Sequence, residues 1–223
     1  HIYLTYKQYE KKNYITRLII RKILNPQYFL TFLPLFNFIV LERFSIVKVY
    51  TRKIRKISIN NYFYIIEQIF NNCMTIAIFY FFYKYNILYH WLISVWISSN
   101  IGVILFHCQH TFNPGYIVNN NNWNFNDCGL KGSSYIKIPW FLKYFTGGIE
   151  YHHIHHMNSK IPGYNLQKFH EEVKEKSDLF NNVPTLSMMD CYTNLWLTLS
   201  DEDEEKYITF EEAENKIRNN KKK

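Results

Sequence analysis

Four histidines are crowded into residues 152–156, and their spacing is the feature most able to support chemistry. On a helix, residues three and four apart share a face, so His152, His155 and His156 can point their rings at one place. His153 falls at the edge of that face or off it. Neutral imidazole binds zinc, copper, iron and nickel, so the cluster predicts a metal site without identifying the metal. A solvent-exposed histidine-rich turn is the alternative interpretation.

A second pair of histidines, His107 and His110, stands at the end of an apolar stretch. If that stretch is a membrane span, a helix leaving the membrane could present either imidazole to the domain that follows. Elsewhere, a histidine at the end of a span is an ordinary interfacial polar residue. We therefore treat both as candidate ligands whose role depends on the cluster at residues 152–156.

Two apolar stretches are long enough to cross a membrane. Residues 88–106 carry no formal charge over nineteen positions, and residues 69–83 make a full span with the flank that begins at residue 62. Residues 28–41 are shorter and contain Pro34 and Asn37, which predicts an interfacial or re-entrant segment. Two buried helices of a soluble protein are the alternative to a pair of spans.

Basic residues are unevenly distributed around these stretches. Six of them lie at residues 43–56, before the two spans, whereas only Lys84 lies in the turn between the spans. Cytoplasmic loops carry the excess of lysine and arginine, so the basic connection is predicted to be cytoplasmic. The two spans then form a hairpin, and the chain after residue 106 shares the cytoplasmic compartment.

The bulk composition restricts the classes of partner. A chain of 223 residues that is 48% hydrophobic has enough apolar material for a core and spans, and its net charge is +8. The basic residues lie in blocks beside apolar segments, where anionic lipid headgroups explain them better than nucleic acid does. We expect a membrane and no nucleic acid as partner, four free cysteines, and a solvated acidic surface at residues 201–205.

The motifs around the histidines resemble a known enzyme family. LFHCQHTF, GSSYIKIP, FTGGIEYHHIHHMNSKIPGYNL and FHEE occur in the order found in the C-terminal half of membrane-bound histidine-box fatty acid desaturases of the delta-12 (omega-6) type. IYLTYKQYEKKN and NPQYFLTFLPLFNFIVLERF also resemble segments of that family. The resemblance therefore covers essentially the whole chain.

The resemblance implies an oxygen-dependent di-iron oxidoreductase that introduces a double bond into a fatty acyl chain of a lipid or thioester. It makes His152, His155 and His156 catalytic residues and iron ligands, and it adds His110 as a further iron ligand. His107 and His153 fall outside that ligand set. Two iron ions, molecular oxygen, and electrons from a b-type cytochrome or a ferredoxin would be required.

The resemblance also implies a location. The enzyme would be an integral membrane protein whose catalytic face is cytoplasmic, in the endoplasmic reticulum of a eukaryote or the plasma membrane of a bacterium. Glu171 and Glu172, beside His170, are the acidic candidates for orienting the ligand imidazoles. His90, at the far end of the hairpin, is predicted to be an interfacial residue.

Three features depart from the family pattern. Asn113 stands where a carboxylate is expected, Glu150 stands where a small residue is usual, and residues 2–100 contain neither an HxxxH nor an HxxHH box. Four candidate ligands are too few for two irons, so we expect a C-terminal portion that is inactive by itself. The alternatives are a hydroxylase or ketolase of the same superfamily, or a non-catalytic membrane-anchored remnant.

The predicted fold class is all-α: a membrane helical hairpin plus a cytoplasmic helical domain with a histidine-rich di-iron half-site. We predict a single desaturase domain over residues 1–223. Within it, residues 1–61 would be cytoplasmic or interfacial, residues 62–106 the hairpin, residues 107–200 the metal-site region and residues 201–223 a charged tail.

Overall fold

The computed structural model describes residues 4–41, 62–118 and 122–220. The chain divides into two units, one made of residues 1–26 and 104–223 and the other of residues 27–103. The basic connection at residues 43–56, on which the predicted sidedness depends, lies outside the described residues. The sidedness therefore stays a prediction.

The second unit is built from apolar helices. Helix α3 (Pro26–Phe36) widens into a π-helical turn at Asn37–Leu41, after Pro34 has removed one donor from its hydrogen-bond ladder. Helices α4 (Tyr62–Lys84) and α5 (Leu88–His110) follow, and the end of α5 from residue 104 belongs to the first unit. The segments Ile65–Lys84 and Leu88–His110 are long and apolar enough to cross a membrane, which confirms that the predicted spans are helices capable of crossing one.

The turn between α4 and α5 closes the predicted hairpin. Asn86 adopts a left-handed backbone conformation with φ of 57°, which asparagine tolerates better than most residues. Beside the turn, the ring of Trp91 lies 5.1 Å from that of Phe79 and 5.5 Å from that of Phe82. Helix α5 extends four residues beyond the predicted end of the span at residue 106, so His107 and His110 belong to its last turn.

The first unit brings together residues from both ends of the described chain. Strand β1 (Leu4–Thr5) and helices α1 (Tyr6–Glu10) and α2 (Tyr14–Ile23) are early in sequence. Strands β4 (Leu199–Asp201) and β5 (Lys206–Ile208) and helix α11 (Phe210–Asn220) are late. Strand β4 pairs in parallel with β1 and antiparallel with β5. The core between them contains Tyr6, Tyr9, Leu199, Ile208, Ala213 and Ile217.

This packing differs in part from the solvated acidic surface that the sequence suggested at residues 201–205. Residues 202–205 are exposed, but Asp201 is buried. Its carboxylate accepts hydrogen bonds from the Lys216 ammonium and from the backbone N–H groups of Asp203 and Glu204. The expectation of a solvated acidic surface is therefore wrong at Asp201, because a folded turn satisfies this carboxylate away from water.

The remainder of the first unit surrounds the histidines. It consists of α6 (Phe125–Lys131), α7 (Trp140–Thr146), α8 (His152–Met157), α9 (Gly163–Lys176) and α10 (Met188–Asn194), with strands β2 (Tyr135–Ile136) and β3 (Thr185–Leu186) paired in parallel. The predicted helical fold class is confirmed. The short strands are an addition to it, since two or three residues are too few to give a periodic pattern.

Candidate metal centre

Helix α8 owes its orientation to an isoleucine in its middle. Ile154 is fully buried in a core that also contains Tyr151, Leu166, Phe180 and Val183. Because residues two apart lie on opposite sides of a helix, burying Ile154 turns His152 and His156 away from this core. The local sequence thus sets which imidazoles face the centre.

Three imidazoles converge at one point. The Nε2 atom of His152 lies 2.9 Å from that of His110 and 3.0 Å from that of His156, and the Nε2 atoms of His110 and His156 are 3.4 Å apart. Metal–nitrogen bonds of about 2.0–2.1 Å place neighbouring ligand atoms about 3 Å apart. The three atoms are therefore arranged as ligands of a single ion would be. Within the described ranges, this is the group of side chains that could hold a metal.

A backbone carbonyl orients the ring of His110. The Nδ1 atom of His110 lies 3.3 Å from the carbonyl oxygen of Gly132. An N–H donated to that carbonyl fixes the tautomer in which the lone pair of Nε2 points toward His152 and His156. The imidazole is thereby prepared for metal ligation by a neighbour that is not a carboxylate.

Hydrogen bonds connect the last turn of α5 to residues 149 and 150, which precede α8. Gln109 is buried, and its side-chain amide donates a hydrogen bond of 2.7 Å to the carbonyl of Ile149. The backbone N–H of Ser134 donates to the carbonyl of Gln109 at 3.1 Å, and that of Ile136 donates to the carbonyl of Glu150 at 3.1 Å. These bonds fix His110 relative to His152, and the spacing of the histidines alone gave no sign of them.

Burial keeps the clustered imidazoles neutral. Desolvation, followed by the neighbouring rings of His110 and His156, lowers the pKa of His152 to about 3. Desolvation and then His155 lower the pKa of His156. Neutral imidazole is the form that binds a metal, so no proton has to be displaced at physiological pH.

His155 stands apart from the three converging imidazoles. It is exposed, and its ring is stacked at 5.6 Å from the ring of His152 and lies 6.1 Å from that of His156. The structure therefore brings together three of the four predicted ligands and places the fourth beside them, outside the converging group.

The histidines that the resemblance left outside the ligand set have other partners. His153 is fully buried, and its Nε2 atom lies 3.1 Å from Nδ1 of His170. The Nε2 atom of His107 lies 3.0 Å from the carbonyl oxygen of Asn194. Both contacts tie helices of the first unit together.

The two glutamates expected to orient the ligands make contacts within α9. Glu171 accepts a hydrogen bond of 2.8 Å from the Gln167 amide, and Glu172 lies 3.8 Å from the Lys168 ammonium. The orienting group shown by the structure is instead the carbonyl of Gly132, on the loop after α6. A backbone carbonyl cannot be identified from a list of side chains.

The two substitutions relative to the family pattern have structural partners. The amide of Asn113 donates to the carbonyl of Tyr207 and accepts from its N–H, both at 2.8 Å. Glu150 is buried and accepts a hydrogen bond of 2.6 Å from the Thr146 hydroxyl. The loop after His110 and the residues before His152 are thus held by bonds that suit these side chains.

Comparison with known proteins agrees with the site. The model of the fatty acid desaturase family matches residues 5–184, which include all four candidate ligands. A fatty acid desaturase of Bacillus subtilis is 39% identical over 114 residues, which are 51% of this chain and 31% of that protein. Chloroplastic omega-6 fatty acid desaturases of Arabidopsis thaliana and Brassica napus are 28% and 26% identical over 91 residues, or 41% of this chain and 20% of each protein.

The matched region spans about a third or less of the length of these relatives. No solved structure matches the chain. The family match nevertheless extends over most of the sequence and contains the three converging imidazoles. The chain therefore belongs to the fatty acid desaturase family.

Proposed function

We propose that this chain is the histidine-bearing part of a membrane fatty acid desaturase, an oxidoreductase that introduces a double bond into a fatty acyl chain. The observation that carries the proposal is the convergence of His110, His152 and His156 within a region that matches the family. An apolar helix, α5, supplies the first of these ligands from its last turn. A lipid-modifying enzyme needs such a connection between its membrane part and its reactive centre.

The proposed metal is iron, with two ions per active site and molecular oxygen as co-substrate. His110, His152 and His156 would hold one iron, since their Nε2 atoms already lie 2.9–3.4 Å apart. His155, exposed and outside this group, would serve the second iron. When bound, the irons supply the activation of oxygen and the oxidation of the acyl chain. Four imidazoles do not fill two coordination spheres, so further ligands would come from outside this sequence.

The chain's own residues would prepare the site for that chemistry. Burial keeps the rings of His152 and His156 neutral, so that their lone pairs are available at neutral pH. The Gly132 carbonyl holds the ring of His110, and Ile154 fixes the rotation of α8. Fixing the imidazoles before the metal binds preserves the open coordination positions that a catalytic metal requires.

The proposed substrate is a fatty acyl chain carried by a lipid or a thioester, and the proposed electron donor is a b-type cytochrome or a ferredoxin. GSSYIKIP and KIPGYNL favour desaturation over the hydroxylase and ketolase chemistry of related enzymes. The chloroplastic relatives are named omega-6 desaturases, which supports a substrate that is already monounsaturated. We propose an integral membrane protein with its catalytic face in the cytoplasm.

The test is expression in yeast of this chain together with the coding sequence that precedes it. Gas chromatography of the total lipids should show a new double bond in a membrane acyl chain. His155→Ala and His156→Ala should abolish the product, because each removes a proposed iron ligand. His90→Ala, at the start of α5 and remote from the centre, is the matched control and should leave the product unchanged.

Other outcomes distinguish the alternatives. A hydroxylated product would support the proposed metal centre but would show that the reaction is hydroxylation and not desaturation. Full activity of His156→Ala would reject the metal role of the cluster. A chain that binds iron but gives no oxidised lipid, even with its upstream sequence, would favour the non-catalytic remnant.

A further inference from the structure

Helix α7 (Trp140–Thr146) has one side packed into the first unit and one side that the described residues leave exposed. Leu142 packs against the core formed by residues such as Cys108, Phe112 and Ile136. The Thr146 hydroxyl donates to the buried carboxylate of Glu150. These contacts fix the rotation of the helix about its own axis.

Lys143 completes the packed side. Its ammonium lies 5.8 Å from the centre of the Tyr151 ring, and Tyr151 is the residue directly before His152. The single cation of α7 is therefore directed at a buried aromatic ring. It is not on the outward side.

The outward side consists of large aromatic side chains. The exposed fractions are 83% for Trp140, 55% for Phe141, 88% for Tyr144 and 81% for Phe145. At 100° per residue, these four positions cover an arc of about 140°, so they form one continuous aromatic face. Leaving such a face in water is unfavourable, because aromatic side chains dominate the energy gained by leaving water.

A fifth aromatic residue is held near the end of α7. Gly147 and Gly148 follow the helix with positive φ angles of 61° and 86°. Their backbone is so close to Gly163 that a Cβ atom on Gly148 would collide with the Gly163 carbonyl. The next residue, Tyr164, is 85% exposed.

The chemistry of this face fits a lipid bilayer better than a protein partner. Tryptophan and tyrosine combine an apolar ring with a polar N–H or O–H, and they concentrate where acyl chains meet headgroups. An electron-carrying protein recognised by charge would need exposed ionised groups, whereas the only ionised group of α7 is Lys143. A bilayer is also expected next to this chain, since α5 is long and apolar enough to cross one and continues directly to His110.

We propose that the aromatic face of α7, together with Tyr164, is a second membrane contact that lies in the headgroup boundary of the bilayer. The occupant is the lipid itself, bound by insertion of aromatic rings and not by charge. Because Lys143 and Thr146 connect α7 to Tyr151 and Glu150, the contact would set the depth of α8 and its histidines. An acyl chain could then reach the metal centre without leaving the membrane.

Spin labelling of the chain in phosphatidylcholine vesicles tests the proposal. A nitroxide at Tyr144→Cys reports on α7, and one at Glu172→Cys, on the exposed side of α9, is the matched control. Both variants carry Cys73→Ser and Cys128→Ser so that the remaining thiols are the buried ones. Power-saturation measurements compare how often the nitroxide collides with oxygen, which dissolves in lipid, and with a nickel complex, which stays in water.

We expect oxygen to dominate at position 144 and the nickel complex to dominate at position 172, with a several-fold difference in the ratio. Adding phosphatidylserine should leave the ratio at position 144 unchanged, since the contact has no exposed cation. Circular dichroism confirms folding of each variant, and Phe145→Cys provides a second label on the same face. This measurement requires no enzymatic activity, so its result is independent of the proposed reaction.

Three results would overturn the proposal. The nickel complex could reach position 144 as readily as position 172, which would leave the face in water. Neither reagent could reach position 144, which would mean that protein covers it. Protection could arise only after addition of the soluble domain of a b-type cytochrome, which would make α7 a docking surface for that protein.

Discussion

The Nε2 atom of His153 lies 3.1 Å from Nδ1 of His170, and this buried pair joins the histidine helix α8 to α9. The ring of His170 is stacked against Phe180 at 5.2 Å and against Tyr135 at 5.3 Å. Desolvation lowers the pKa of both imidazoles, to about 3 for His153, so one neutral ring donates to the other. On α8, His153 lies beside the metal-facing residues, so the pair holds the helix next to the metal centre.

Removing one partner of this pair should destabilise the first unit. His170→Phe keeps an aromatic ring against Phe180 but leaves Nε2 of His153 buried without a partner. The expected loss is about 1–3 kcal/mol in the free energy of unfolding. Thermal unfolding in detergent, followed by circular dichroism, measures it. The control Glu172→Gln, on the same helix, should have the same unfolding temperature as the parent chain. An unchanged unfolding temperature for His170→Phe would mean that the histidine pair does not contribute to stability.

Metal binding should depend on three imidazoles and not on the fourth. Cobalt titration of this chain, followed by visible absorption, should show at most one tightly held ion. His156→Ala should weaken that binding by at least about tenfold, since even the loss of a group behind a ligand costs that much. His155→Ala should bind the first ion like the parent chain, because His155 is not part of the converging group. Tight loading of two ions by the parent chain would contradict this arrangement.

Acid should weaken the packing of β4, β5 and α11. Burial opposes ionisation of Asp201, but hydrogen bonds from Lys216 and from backbone N–H groups hold its pKa below the ordinary value. Bonds from Lys206 and Lys216 lower the pKa of Glu204 to about 2. Both values lie below those of an unfolded chain, which are about 4. The stabilisation is therefore present above about pH 4 and is lost as the pH falls toward 2.

Lys216→Met tests the acid dependence. At neutral pH the variant should be less stable by about 1–3 kcal/mol, because the buried carboxylate of Asp201 loses its cation. Its unfolding temperature should also fall less steeply than that of the parent chain between about pH 5 and pH 2. Lys168→Met removes an exposed lysine of α9 and should change neither quantity. Parallel pH profiles for Lys216→Met and the parent chain would reject the role of Lys216.

Features of the fold and the site that depend on residues close together in sequence were predictable, whereas contacts between distant residues were not. The apolar helices were predictable because a run of nineteen uncharged residues is itself typical of a span. The histidine helix was predictable because its candidate ligands are three and four residues apart. The position at the end of a span made both His107 and His110 candidates, and only the resemblance chose His110, since 42 positions separate it from His152. The separation of His155 from its neighbours was not predictable, because it depends on the burial of Ile154 in a core formed by distant residues.

The packing of the early and late segments had no sequence signal at all. Strands of two or three residues carry no period, and Tyr9 meets Glu214 across a separation of 205 positions. The last segment was predicted only as a charged tail, with no sign that Ala213 and Ile217 are buried on one face of α11. A short amphipathic helix rich in charge is recognised only when its partner surface is known.

The stability of the fold should depend on the side-chain amide of Asn113. The two bonds to Tyr207 need one donor and one acceptor, and a carboxylate offers only acceptors. Asn113→Asp should therefore lower the free energy of unfolding by about 1–3 kcal/mol through repulsion with the Tyr207 carbonyl. Chemical unfolding monitored by fluorescence provides the measurement. Asn126→Asp, on an exposed part of α6, is the control, and equal stability of the two variants would contradict the argument.

If α5 crosses the membrane, the turn before it and the metal centre after it lie on opposite sides, and the basic connection predicts that the metal centre is on the cytoplasmic side. We expect a cysteine at Asn86, in the turn, to react with a membrane-impermeant reagent from outside intact cells. A cysteine at Asn158, just after α8, should react only after permeabilisation. Labelling of both positions from the same side would reject the hairpin topology.

The parallel pairing of Leu4 with Leu199 has a consequence for the order in which the protein is made. A strand formed at the beginning of this segment has to wait for its neighbour until almost all the following residues have left the ribosome. During that interval the two apolar helices are synthesised, while Tyr9 and Arg17 remain without Glu214, their later partner. The sheet can therefore be completed only after both apolar helices have been made, so the late segment is the last part needed to close the first unit.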